Sequence, residues 1–119
     1  MMVGREPRSN RLRVLAIDTA LEACSAAILD TEREDGVTSR SLPMVRGHAE
    51  ALVPLIAAVM SEANVGFAEL DRIAVTVGPG SFTGIRIGLA TARGIAHATG
   101  ARVIGVTGFE AVATGLVVR

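Results

Sequence analysis

The sequence predicts an α/β fold, in which a mixed five-stranded sheet carries helices on its faces in the order βββαβαβα. Three observations predict it. Short apolar runs of strand length fill the region from Leu12 to Leu42. Stretches with apolar residues at helical spacing then alternate with further short, β-branched runs. Half of the 119 residues are hydrophobic and only 3% are aromatic, so the core must be built from aliphatic side chains.

The first three strands are predicted to form a meander. Leu12–Asp18 (LRVLAID) is an apolar run closed by an acid, and Cys24–Asp30 (CSAAILD) follows after a turn short enough for an antiparallel hairpin. A charged turn leads to the third strand, Val37–Leu42, which we expect at an edge of the sheet, with the first strand at its centre. Residues 1–10 are polar and are expected to form a mobile extension outside a domain that covers residues 11–119.

The rest of the chain alternates between helix and strand. His48–Asn64 has apolar residues at i, i+3 and i+4 spacing, and Pro54 inside it predicts a kink or a late start of the helix. Ile73–Val77 and Arg102–Val106 are short strands on either side of a second helix, which Gly100 is expected to end.

This order of elements indicates a particular architecture. Strands separated by helices pair in parallel through right-handed crossovers. A meander followed by such units is the ribonuclease-H-like or actin-like arrangement. A third helix is expected to begin at Phe109. Because a typical actin-like protein carries two such halves, the sequence predicts one half.

Charge and cysteine usage restrict the function classes. The chain has twelve acidic and twelve basic residues, and every basic residue is an arginine. The domain as a whole therefore has no electrostatic attraction for nucleic acid, which leaves only a local basic patch open. The single cysteine, Cys24, favours a reducing compartment and is expected to be a core residue. No apolar run approaches the ~20 residues of a membrane span, and residues 1–10 lack an apolar signal core, so we expect a cytoplasmic protein without membrane contact.

The end of the first strand has two readings. Asp18 and Thr19 would lie at the edge of the sheet where ligands bind in folds of this kind. The carboxylate could hold Mg²⁺ through water, and the threonine hydroxyl could contact phosphate. Alternatively, Asp18 accepts backbone N–H groups in an Asx-type turn. The residues alone favour neither reading.

A glycine-rich loop precedes the second helix and is a weak candidate for phosphate contact. Gly78, Gly80 and Ser81 lie where helix N–H groups can bind an anion. The loop matches neither of the two nucleotide-binding glycine patterns, and the chain contains no lysine. We therefore expect a tight turn in which Ser81 or Thr83 caps the helix.

Neither a catalytic centre nor a metal site is predicted, and no cofactor is expected. The only histidines, His48 and His97, lie on different predicted helices, without a cysteine cluster nearby. His48 is expected to be a surface or interface residue, and His97 to share a solvated helix face with Arg86 and Arg93. The carboxylates that a two-metal nuclease needs do not converge at Asp18.

The second helix carries a stripe of small residues that indicates close packing. At 100° per residue the stripe comprises Gly84, Gly88, Thr91 and Ile95. The neighbouring backbone could belong to the His48–Asn64 helix or to a partner's helices. We favour the external packing, in which the stripe forms a partner interface together with His48, Leu52 and Leu55. Gly88→Leu should then leave the fold intact and abolish a dimer.

Four segments resemble the TsaB (YeaZ) family: LAIDTALEACSAAILD, HAEALVPLI, VTVGPGSFTGIRIGLATARGIAHATG and VIGVTGFEAVA. The resemblance extends from about Arg13 to Ala113, and GPGSFTGIRIG is its most specific part. It implies a non-catalytic protein of the pathway that makes threonylcarbamoyladenosine in tRNA. Such a protein pairs with the catalytic subunit TsaD, acts with TsaE, and forms a homodimer in isolation through the same helical surface. Because the net charge is zero and aromatic residues for stacking are few, we expect tRNA to be contacted only indirectly.

The resemblance also implies what this chain lacks. TsaD, whose family was once labelled glycoprotease or peptidase M22, carries two metal-binding histidines after strand five. The matching positions here are Gly108 and Val112, so that metal chemistry is not implied. TsaB-like proteins have a second, smaller domain, and we expect this chain to be the N-terminal domain alone. The alternatives are a nucleotide-binding actin-like ATPase half and an M22-type metallopeptidase homologue.

Overall fold

The computed structural model describes residues 11–33, 36–44 and 47–107, which form one five-stranded sheet and two α-helices. The sheet order is β3-β2-β1-β4-β5. The predicted mixed sheet, with the first strand at its centre and the third at an edge, is confirmed. The strands are β1 (Arg13–Asp18), β2 (Ala23–Asp30), β3 (Val37–Pro43), β4 (Arg72–Thr76) and β5 (Arg102–Val106).

Strand directions follow from the lengths of the connections. β1 pairs antiparallel with β2, and β2 antiparallel with β3, because short turns join them. β4 lies parallel to both β1 and β5. One helix joins β3 to β4 and another joins β4 to β5, so these strands run in the same direction. β1 shares this direction, because both β1 and β3 are antiparallel to β2. The carboxyl ends of β1 and β4 therefore meet at the same edge of the sheet.

The first helix, α1 (His48–Ala63), begins where its apolar pattern begins. The expected late start at Pro54 is wrong, since this proline lies inside the helix on its exposed side. Its missing N–H removes one intrahelical hydrogen bond. The helix ends at Asn64, which adopts the left-handed conformation with a φ of 59°.

The second helix, α2 (Phe82–Thr99), has the two caps that its sequence predicts. Ser81 Oγ accepts a hydrogen bond from the N–H of Gly84 at 3.1 Å. Gly100 is left-handed, with a φ of 82°, and its N–H donates to the carbonyl of Ala96. Within the described ranges, neither helix is both long and apolar enough to cross a membrane. The third helix expected from Phe109 lies outside the described residues.

One face of the sheet packs against both helices. Leu15 and Ile17 of β1 lie beside Ile73 and Val75 of β4 in the strand register, and all four are at most 2% exposed. The helices add aliphatic and methionine side chains, so the described core contains no aromatic residue, as the composition predicts. The buried core residues that the two helices contribute are Leu52, Leu55, Ile56, Val59, Met60, Ala63 and Ala92.

The edge of the sheet opposite the carboxyl ends of β1 and β4 is held by a charge network around Asp30. This carboxylate is 3% exposed and accepts hydrogen bonds from Arg11 Nη2 at 2.9 Å and from Arg13 Nε at 3.2 Å. The N–H of Glu32 donates to its other oxygen at 3.1 Å. The Arg11 hydrogen bond holds the pKa of Asp30 well below its usual range, against the opposing effect of burial. Both oxygens have partners, so the network stabilises the fold.

Candidate functional site

Asp18, at the carboxyl end of β1, closes a turn of the backbone. Its Oδ1 accepts the N–H of Ala20 at 3.1 Å, which is the Asx-type bond of the second reading. Across residues 11–33, 36–44 and 47–107, no three His, Cys, Asp or Glu side chains are grouped closely enough to hold a metal ion. The geometry therefore supports a turn role for Asp18.

Thr19 is used inside the domain and is not presented to a ligand. Its side chain is 1% exposed, and its hydroxyl donates to the carbonyl oxygen of Gly84 at 2.5 Å. This bond joins the end of β1 to the first turn of α2. This use of the hydroxyl favours the turn reading of this segment over a phosphate contact.

The glycine-rich loop fixes α2 to the turn between β1 and β2. The N–H of Ser81 donates to the carbonyl of Ala20 at 2.7 Å. Gly80 has a φ of 153°, and a Cβ at this position would overlap the carbonyl oxygen of Ala20. Gly78 also has a positive φ, of 144°, and faces open space. Close backbone approach therefore explains Gly80 without a ligand.

The small stripe of α2 packs against its own sheet. A Cβ at Gly84 would overlap the carbonyl oxygen of Thr19, and one at Gly88 would lie 2.6 Å from Thr19 Oγ1 and 3.3 Å from Val75 Cγ2. The expectation that Gly84 and Gly88 face an external helix pair is thus corrected. Gly84 is approached by the backbone of Thr19, just after β1, and Gly88 by the side chains of Thr19 and Val75.

The α1 residues expected at a partner interface are also internal. Leu52 and Leu55 are 0% and 6% exposed. His48 is 8% exposed, and its Nε2 lies 3.3 Å from the carbonyl oxygen of Leu21, so it anchors the start of α1 to the β1–β2 turn and is not a surface residue. The other two expected interface residues, Thr91 and Ile95, are half-buried.

A cleft of about 800 Å³ lies where the β1–β2 turn meets the beginnings of both helices. Its charged lining residues are Glu22 and Glu50, and no arginine is among the described residues around it. Two carboxylates at the mouth oppose the binding of a phosphate group. Its lining comprises Ala20, Leu21, Glu22, Gly47, His48, Ala49, Glu50, Ser81, Thr83, Gly84 and Ile87.

Cys24 is confirmed as a core residue. It is 0% exposed, and burial raises the pKa of its thiol. A buried thiol with a raised pKa stays protonated at neutral pH and is a poor nucleophile.

The helices also carry a set of uncharged residues outside the core, which we call the α1–α2 outer face and define as Val53, Ala57, Ile87, Ala90 and Gly94. Ile87 lies at its border, because it also lines the cleft and packs against the core. Val53 is 59% exposed, Ile87 is half-buried, and the other three are exposed. A Cβ at Gly94 would meet no atom within 4 Å. The sequence analysis did not assign these residues to an interface. The sequence feature that indicates this face is the i, i+4 spacing of two small residues, Ala90 and Gly94. They lie on a different arc of α2 from Gly84 and Gly88.

Comparisons with known proteins agree on one family. A family model described as TsaD, tRNA N6-adenosine threonylcarbamoyltransferase, matches residues 35–118. The tRNA threonylcarbamoyladenosine biosynthesis protein TsaB of Escherichia coli (strain K12) is 34% identical over 105 residues, which are 87% of this chain and 44% of that protein. An uncharacterized protein of Mycobacterium tuberculosis (strain H37Rv) is 43% identical over 101 residues, 83% of this chain and 47% of that protein.

The fold is likewise that of a solved relative. YeaZ from Pseudomonas aeruginosa matches with a TM-score of 0.75 and 38% sequence identity, over 81% of this chain and 44% of that chain. The chain thus spans about half the length of these relatives.

Proposed function

Because this chain belongs to the TsaD family and is TsaB-like within it, we propose that it is a non-catalytic subunit in the formation of threonylcarbamoyladenosine in tRNA. Its partner in this role is TsaD, with TsaE as a further member of the complex. The proposed pathway, the formation of threonylcarbamoyladenosine in tRNA, is taken from the names of the relatives. The observation that carries the proposal is the α1–α2 outer face.

The chemistry of the α1–α2 outer face suits a pair of helices from a partner. Exposed apolar groups such as Val53 gain free energy when a partner removes them from water. Small residues such as Ala90 and Gly94 let a second helix approach to the ~8–10 Å between axes that close packing requires. We propose that TsaD docks here, and that a second copy occupies the same face when TsaD is absent.

Features at the carboxyl ends of β1 and β4 support the non-catalytic part of the proposal. Asp18 and Thr19 make hydrogen bonds to the backbone of the domain itself. The neighbouring cleft is lined by Glu22 and Glu50, which weakens the nucleotide-binding alternative. The absence of histidine at positions 108 and 112, where the resemblance places the TsaD metal ligands, argues against the metallopeptidase alternative.

Gly94→Leu tests the proposed docking face. The variant should melt at or slightly above the wild-type temperature, because the added side chain meets open space and the helix loses a glycine. Its affinity for TsaD should fall about five- to 150-fold, since overpacking costs about 1–3 kcal/mol and each 1.4 kcal/mol is tenfold. The measurement is a titration with TsaD from the same organism, accompanied by thermal melting.

The matched control is Ala68→Leu, which adds a similar apolar group to an exposed 3₁₀ turn (Phe67–Glu69) that contributes no residue to the α1–α2 outer face. This variant should bind TsaD as the wild type does. If Gly94→Leu retained wild-type affinity, TsaD would dock elsewhere. If the wild-type chain did not bind TsaD at all, the proposed function would be wrong.

A further inference from the structure

The exposed side of α2 carries a basic stripe that the proposed docking does not use. We define the α2 basic stripe as Phe82, Arg86, Arg93 and His97, all of them exposed. At 100° per residue they fall within an arc of about 60°, over roughly 22 Å of helix. Phe82 is 73% exposed, an unusual position for one of only three phenylalanines in the chain.

The zero net charge of the chain hides a strong segregation of its charges. Residues 72–109 contain no aspartate or glutamate, although they include four arginines and His97. All twelve acids lie outside this segment of 38 residues. Such asymmetry within one chain is typical of a surface that meets a polyanion.

The arginines of the stripe also differ from others in the domain in how they are paired. Arg11, Arg13 and Arg40 form ion pairs with carboxylates at 2.9–3.2 Å. Arg86 and Arg93 form no ion pair with any residue in the described ranges. The guanidinium carbon of Arg86 instead lies 5.3 Å from the centre of the Phe82 ring. This cation–π contact holds the guanidinium beside an open aromatic face.

We propose that the α2 basic stripe contacts the phosphate backbone of RNA and, resting on the proposed function, that this RNA is the tRNA bound by the complex. Guanidinium groups pair with phosphate oxygens in a bidentate way. The exposed aromatic ring of Phe82, beside Arg86, can stack on an unpaired base. The combination matches RNA better than an acidic protein surface, which supplies charge but no bases.

This contact is compatible with docking at the α1–α2 outer face, because the two surfaces occupy adjacent arcs of one helix. Ala90 and Gly94 lie beside the stripe, so a partner on the outer face would leave Arg86 and Arg93 at its rim. The inference replaces the expectation, drawn from net charge, that tRNA is contacted only indirectly.

The test is a fluorescence anisotropy titration of a labelled, unmodified tRNA transcript with this chain alone, between 25 and 200 mM salt. Over this range the Debye length falls from roughly 20 Å to roughly 7 Å. For R86Q/R93Q we expect the plot of log affinity against log salt to become shallower by about 1.4–2. The affinity at 25 mM salt should fall roughly 100- to 1,000-fold, because the slope difference acts over the whole interval up to the roughly 1 M salt at which the electrostatic contribution vanishes. Phe82→Ala should lower the affinity without changing the slope, because stacking releases no counterions.

The matched control is R33Q/R40Q, which removes the same charge from exposed arginines around β3. It should leave the slope unchanged. Equal losses in both double variants would mean that only net charge matters, and would overturn the proposal. Undiminished tRNA binding by R86Q/R93Q, with weaker binding to TsaD, would assign the stripe to an acidic protein instead. Because the tRNA titration contains no TsaD, its failure is distinct from a failure of TsaD pairing.

Discussion

Gly84→Ala is expected to lower the free energy of unfolding by about 2–3 kcal/mol, although it adds a single methyl group. The new Cβ would overlap the carbonyl oxygen of Thr19, a backbone atom that cannot move without displacing the end of β1. Separating the two elements would also weaken the buried hydrogen bond from Thr19 Oγ1 to the Gly84 carbonyl. The gain in helix propensity, up to ~1 kcal/mol, offsets only part of this cost.

Gly94→Ala is the matched control on the same helix. No atom lies within 4 Å of its added Cβ, so the variant should gain up to ~1 kcal/mol from helix propensity alone. Urea unfolding of both variants measures the difference, and thermal melting should show Gly84→Ala roughly 10 °C below the wild type. Equal stability of the two variants would mean that α2 does not dock on β1 as closely as the structure places it.

The same geometry reverses the expectation for Gly88→Leu. A side chain there would run into Thr19 and Val75, so the variant should lose stability and not merely a partner.

Asp30→Asn is expected to lower the free energy of unfolding at pH 7 by about 1–3 kcal/mol. The substitution removes a 3% exposed carboxylate and leaves the guanidinium groups of Arg11 and Arg13 without their shared partner. Both arginines are 16–24% exposed and can regain some water, which keeps the cost below that of a fully buried pair. Urea unfolding at pH 7 measures it.

The pH dependence separates this role from simple packing. The pKa of Asp30 is lowered in the folded state, so its stabilisation is fully present above the unfolded pKa of about 3.9 and is lost as pH falls towards the lower, folded value. Wild type should therefore lose more stability than Asp30→Asn as the pH falls below about 4. Parallel losses would show that Asp30 contributes no ionic stabilisation.

Glu62→Gln supplies the surface control for Asp30→Asn. Glu62 pairs with Arg40 at 3.0 Å, but both side chains are at least half exposed. Such pairs contribute about 0–1 kcal/mol, so this variant should unfold close to wild type.

The sequence by itself determined the fold class, because that follows from local patterns. Runs of strand length, helical periodicity and short connections predicted a mixed five-stranded sheet with the first strand at its centre and the third at an edge. The fifth strand occurs at Arg102–Val106 as predicted. Ser81 and Gly100 also act as predicted, since a cap depends on residues within one turn of it. An aliphatic composition was enough to describe the core.

Only the tertiary structure decided which surfaces of the helices are available to a partner. Periodicity identified the small stripe of α2, but periodicity describes a face and not what covers it. Thr19 covers Gly84 across 65 residues of sequence, and the partner of Asp30, Arg11, lies 19 residues before it. Such pairings depend on how the strands and helices are brought together in space. They cover Gly84 and Gly88 and leave Ala90 and Gly94 exposed.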